Sequence, residues 1–130
     1  MAIKATVDLA IDCKGELSGN QFTGSFVAKT KLSMKESLKQ DEIYRSILGA
    51  NSQDAGDSSK KVAAAISYLM THVVTSPDWW KAMNLGMDCE DMNLLATINN
   101  AVQEKIELEY KKLAEEAKAS EELLKAIPAV

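Results

Sequence analysis

Acid–base chemistry near neutral pH most often runs through histidine, and this chain has one, His72. It stands beside Val73 in a stretch of helical patterning, with no serine, cysteine or carboxylate at a catalytic spacing, so a structural role is expected. Cys13 and Cys89 lie far apart and in no motif. With a single histidine they fall short of the roughly four nitrogen or sulfur ligands of a zinc site. They read as reduced thiols filling small semi-apolar spaces in a cytoplasmic protein, since a secreted disulfide scaffold uses more cysteines at closer spacing. Gly15, Gly19 and Gly24 make no phosphate loop, because no Gly-Lys-Ser/Thr follows them. The acids Asp88, Glu90 and Asp91 are the best candidates for metal or general acid–base work. Their alternative reading is a helix cap, Asp88, with two carboxylates in the first turn, where the backbone dipole favours negative charge. The expectation is a protein that is not an enzyme, with no catalytic residue, no metal and no cofactor.

The least ordinary feature is Trp79-Trp80, both tryptophans of the chain side by side after Ser76-Pro77. Helical neighbours point about 100° apart, so both indoles cannot enter one core layer fully. One is expected to plug the core, the other to be partly exposed or to touch another subunit, a role tryptophan often has at interfaces. The alternative is that both are core. Trp79, Trp80, Met83 and Met87 are therefore the candidate partner-binding residues.

These residues need elements to position them. The 130-residue chain is 46% hydrophobic, 26% charged and only 5% aromatic, a mixture that favours helices in one domain. Its formal charge of −4 argues against a nucleic-acid partner. No stretch approaches the roughly 18 to 20 apolar residues that span a bilayer, and no basic start leads into an apolar secretory run. Val7, Leu9 and Ile11 alternate with Asp8, Ala10 and Asp12, and Phe22, Gly24, Phe26 and Ala28 with Thr23, Ser25 and Val27. This period of two predicts a β-hairpin over 6–30. Ser33 and Glu36 have capping-box spacing and open a helix that carries Leu38, Ile43, Tyr44, Ile47 and Leu48 to Gly49. A loop is expected from Ala50 to Ser59, then a helix from Lys60 to Val74 on the Val62, Ile66, Leu69, Val73 face.

Ser76 and Pro77 stop that helix, and a short turn should run through the tryptophans to Asn84–Gly86. A long last helix follows Asp88 on Leu95, Ile98, Val102, Ile106, Tyr110, Leu113 and Ala117. The predicted architecture is α+β and mostly helical: a hairpin packed on a helical body over 33–118, with a tail over 119–130. From Lys111 onward the sequence suits either a solvated extension or a surface that a partner completes.

Pro77-Asp78-Trp79-Trp80, Gly86-Met87-Asp88 and Asp91-Met92-Asn93-Leu94 together resemble a pattern in small proteins of tailed bacteriophages grouped as tail assembly chaperones. Gly24-Ser25-Phe26-Val27-Ala28-Lys29 leading to Leu32-Ser33, and Arg45 to Leu48-Gly49, are similar to the same kind of protein. The resemblance covers residues 22–49 and 73–103. It implies a largely helical, non-enzymatic morphogenesis protein of the host-cell cytoplasm that binds the tape measure protein and recruits tail tube subunits. The six methionines suit apolar helix binding. The alternative is a virion structural protein, a capsid decoration or head–tail component. It would assemble with capsid or tail subunits and with itself through the hairpin and the long helix.

Overall fold

A computed structural model describes residues 3–50 and 54–126. The fold is α+β and mostly helical, with an N-terminal antiparallel sheet and a long C-terminal helix, as the patterning predicts. Strands β1 (Thr6–Lys14) and β2 (Gln21–Lys29) pair antiparallel from Thr6↔Lys29 to Lys14↔Gln21. Their register puts Val7, Leu9, Ile11, Phe22, Phe26 and Ala28 on one buried face. The alternation in sequence is thus an alternation of faces.

Helix α1 (Met34–Leu48) opens with the expected capping box. The Glu36 amide donates to Ser33 Oγ at 3.1 Å and the Ser33 amide to Glu36 Oε1 at 3.1 Å. Lys29 at the end of β2 pairs with the same carboxylate. That ammonium, with the Ser33 amide, lowers the Glu36 pKa to about 2. No residue of α1 is fully buried, and Leu38, one of the apolar residues expected along it, is exposed. The helix lies against α2 as an outer layer.

Helix α2 (Asp57–His72) starts three residues before the expected Lys60, shortening the loop; the expected loop residues 51–53 lie outside the described residues. It ends at His72, short of the expected Val74. Val73–Thr75 instead form a third strand, β3, antiparallel to β2 in the order β1-β2-β3. Three β-branched residues suit an extended chain, the free edge of β2 supplies hydrogen-bond partners, and Pro77 disfavours helix just before it.

Helix α3 (Asp78–Ala82) and a 3₁₀ turn (Asn84–Gly86) lead to α4 (Met92–Ala126). Asp88 does not cap α4. The helix begins after Asp91, whose carbonyl accepts the Leu94 and Leu95 amides at 3.1 and 3.3 Å, and no acid occupies its first turn. Glu90 and Asp91 thus precede the helix rather than sit within it. Nor does α4 end near residue 118, since it continues through Ala126; residues 127–130 of the expected tail lie outside the described residues. Leu94, Leu95, Ile98, Val102 and Ile106 are buried against the sheet and α2, with Ile66, Leu69 and Trp80 completing the core. Tyr110 closes the seam, its hydroxyl donating to the Thr30 carbonyl at 3.2 Å. Beyond it, every described side chain from Ala114 to Lys125 is exposed.

Candidate interaction site

The distinctive residues converge on one corner, where α3 and the start of α4 meet the hairpin. Trp80 is the core plug, 1% exposed, with its ring edge-on to Phe26 at 5.9 Å. Gly86 backs it with φ +101°, and a Cβ there would stand 2.7 Å from the indole. Only glycine provides both that angle and that clearance. Trp79 turns the other way and lies half-buried on β2. It is 5.0 Å from Phe22 and 5.8 Å from Phe26, and its Nε1 donates to the Thr23 carbonyl at 2.9 Å. Trp79 is thus committed to the hairpin of its own chain. Pro77 packs so closely over Gly24 that a Cβ at position 24 would lie 2.4 Å from the proline ring. Gly24 occupies an inward position of β2 because a side chain there would displace Pro77.

A second clamp ties the hairpin turn to α4. The Asp91 carboxylate, 2% exposed, accepts the Leu17 amide at 2.7 Å, the Ser18 amide at 3.0 Å and the Ser18 hydroxyl at 2.7 Å. The Ser18 hydroxyl and these amides hold its pKa below the ordinary aspartate value. Two residues on, Asn93 donates from Nδ2 to the Lys14 carbonyl at 2.8 Å and accepts the Glu16 amide on Oδ1 at 3.1 Å. The Asp–x–Asn opening therefore grips the turn between β1 and β2. Asp88 and Glu90 are exposed and do not converge with Asp91 on a common point. Among the described residues no group of three or more His, Cys, Asp and Glu side chains is placed to hold a metal ion.

His72 is buried at the end of α2. Its Nδ1 lies 2.8 Å from the Tyr68 carbonyl and its ring stacks on Tyr68 at 3.9 Å; burial pushes its pKa down. Cys13 and Cys89 are free, half-buried thiols, and burial pushes the Cys89 thiol up.

Of the four expected partner-binding residues, Trp80 and Trp79 are engaged within the chain and Met83 is half-buried against the core. Met87, 43% exposed, is the one presented to solvent. It lines an open groove with Ile43, Ile47 and Met70, beside Lys39 and Glu42. A second groove, along α2 and α4, is lined by Val62, Ala65, Met92, Leu95 and Asn99. Met70 and Met92 come from separate helices, so no single sequence window marks them. The clamping role of Asn93 was likewise hidden, though Gly24 carried a signal: it interrupts an otherwise large apolar row.

Fold and site together define a mostly helical α+β protein whose unusual residues fix one corner and whose grooves beside α2 include Met70, Met87 and Met92. Compared with protein-family models, with curated proteins and with solved structures, the chain matches none. No helix among the described residues is long and apolar enough to cross a membrane.

Proposed function

We propose that this protein is a non-enzymatic assembly factor of a tailed bacteriophage, of the tail assembly chaperone kind. It binds an apolar helical segment of a tape measure or tail tube subunit in the host cytoplasm. The observation that carries the reading is the groove of Ile43, Ile47, Met70 and Met87. Thioether side chains are flexible and polarisable, so they adapt to apolar helices of differing shape without a fixed pocket. The flanking Lys39 and Glu42 supply a polar rim. The motif resemblance supplies the identity of the partner, and the groove supplies a way to bind it.

The test is co-purification with tape measure and tail tube subunits, comparing the wild type with Met87→Glu. Because Met87 is already exposed, the substitution is expected to leave melting within about 0.5 kcal/mol of wild type while partner capture is lost. Unchanged capture removes the groove from the reading.

A second reading, a virion structural protein, is favoured by the outer edge of β1. Among the described residues this nine-residue strand pairs only with β2, leaving a row of backbone groups open to a neighbour. Mass spectrometry of purified particles separates the two, since a chaperone is absent from the mature virion and a structural protein is present in many copies.

A further inference from the structure

The outer edge of β1 is covered at one end and open along the rest. Just beyond the ends of the strand, the Thr30 amide donates to the Ala5 carbonyl at 3.0 Å and the Gly15 amide to the Asn20 carbonyl at 2.9 Å. The register between these points is unbroken. The odd-numbered residues of β1 therefore carry its bonds to β2, and the even-numbered ones aim N–H and C=O at the edge. At the Lys14 end the Asn93 side chain already pairs with that edge. It donates to the Lys14 carbonyl at 2.8 Å and accepts the Glu16 amide at 3.1 Å, as the peptide group of a further strand would. Thr6, Asp8, Ala10 and Asp12 have no such cover: among the described residues nothing bonds their outward backbone groups.

The start of this open stretch forms one wall of a groove whose other wall is α4, where Leu108, 47% exposed, stands between Lys105 and Lys112. The two faces of the edge differ in charge. Asp8 and Asp12 stand four residues apart in one row on the solvent face, while α4 lies on the buried face. An added strand turns alternate side chains to the two faces. Those on the solvent face come beside Asp8 and Asp12, where a basic residue is favoured. Those on the other face come over Leu108, where an apolar residue is favoured and Lys105 and Lys112 repel a basic one. A second copy cannot supply this strand from its own β1, because α4 packs under β1 rather than β2. Paired strands lie about 4.8 Å apart and packed helices need about 8–10 Å, so the two copies of α4 would collide.

We infer that the open edge of β1, with α4 behind it, binds an extended segment of another protein as a fourth strand of the sheet. The segment carries two basic residues four apart on one face and apolar residues on the other. The backbone groups of Thr6, Asp8, Ala10 and Asp12 hold it, and the two charged rows set which way it faces. This takes the open β1 edge further but rests on neither functional reading.

The probe is a synthetic peptide about as long as β1, in which Lys and Thr alternate with Val and Leu and the two lysines lie four residues apart. Fluorescence anisotropy of the labelled peptide with the full chain is expected to show binding at least about tenfold tighter than that of a shuffled peptide without the alternation. Ala10→Pro removes an outward N–H without touching a bond to β2. It is expected to weaken binding about tenfold while melting shifts by no more than a few degrees. Asp8→Lys, on the exposed face, is expected to weaken binding of the lysine peptide about tenfold and to favour a counterpart with glutamates in place of the lysines. This variant decides the matter should Ala10→Pro disturb β1. An alternating peptide that binds no better than its shuffled form overturns the inference. So does an Ala10→Pro chain that both melts and binds as the wild type does, or a charge preference that Asp8→Lys leaves unreversed. None of these outcomes depends on capture by the Met87 groove or on presence in the virion, so this inference and the functional readings fail separately.

Discussion

The two tryptophans differ at the residue scale in what surrounds each indole. Trp80→Ala empties a fully enclosed site and is expected to cost about 3–5 kcal/mol, a large part of the 5–15 kcal/mol that typically holds a domain together. Trp79→Phe keeps the ring contacts to Phe22 and Phe26 and removes the donor to Thr23, so a loss of about 0.5–1.5 kcal/mol is expected. Denaturant unfolding of both variants checks this ordering, and equal losses would show that the hydrogen bond is not what distinguishes the two sites. Asp91 and Glu36 make a prediction about acid. Each carboxylate has its folded pKa below the ordinary value, so the unfolded chain takes up protons first as pH falls. Their contribution is fully present above about pH 4.5 and is lost as the pH drops toward the folded values. Melting followed from neutral pH to pH 2 should show a weaker acid dependence in Asp91→Asn and in Glu36→Gln than in the wild type. Identical acid limbs would remove these carboxylates as its source.

At the scale of elements, the corner works because a strand, a short helix and a long helix share few residues at very close range. Gly24→Ala places a methyl group into the Pro77 ring, and relief requires α3 to move off β2. A destabilisation of about 1–3 kcal/mol is expected, together with a change in Trp79 fluorescence as its stacking on Phe22 opens. Helix α1 behaves differently, because nothing on it is fully buried. Ser33→Ala should cost about 1 kcal/mol through the lost cap. Leu38→Glu should stay within about 0.5 kcal/mol of wild type despite its place in the apolar pattern. Thermal melts of the pair test whether α1 is held by its cap or by its apolar face.

At the scale of the whole molecule, α4 divides into a buried half and a projecting half. Its buried residues end at Ile106, the Tyr110 hydroxyl donates to the Thr30 carbonyl just past β2, and residues 114–125 are exposed throughout. A chain ended after Leu113 is therefore expected to melt within a few degrees of the full-length protein. A large drop in melting temperature would mean that the projecting turns contribute to the fold, contrary to their exposure. The projecting turns of α4 add little to stability, because an isolated solvated helix is marginal in water.

Features that depend on periodicity and on neighbours close in the chain were legible before any tertiary contact was known. The alternation Val7, Leu9, Ile11 against Phe22, Phe26, Ala28 defined the hairpin, because the pleat turns every second side chain to one face. Ser33 and Glu36 defined the start of α1, because a capping box closes over three residues. Features that depend on partners distant in sequence emerged only in the folded chain. Val73 and Val74 read as the end of a helix until the edge of β2 became available to pair with Val73–Thr75. Asp91 read as a helix-start acid, yet its acceptors face an incoming turn some seventy residues earlier. Trp79 and Trp80 read either as a core plug beside a partly exposed neighbour or as two core residues; the fold buries Trp80 fully and leaves Trp79 half-buried on the aromatic face of β2. A local pattern states which face an element must bury; which element arrives to cover it is settled by packing, and that is where the corner and its clamps were decided.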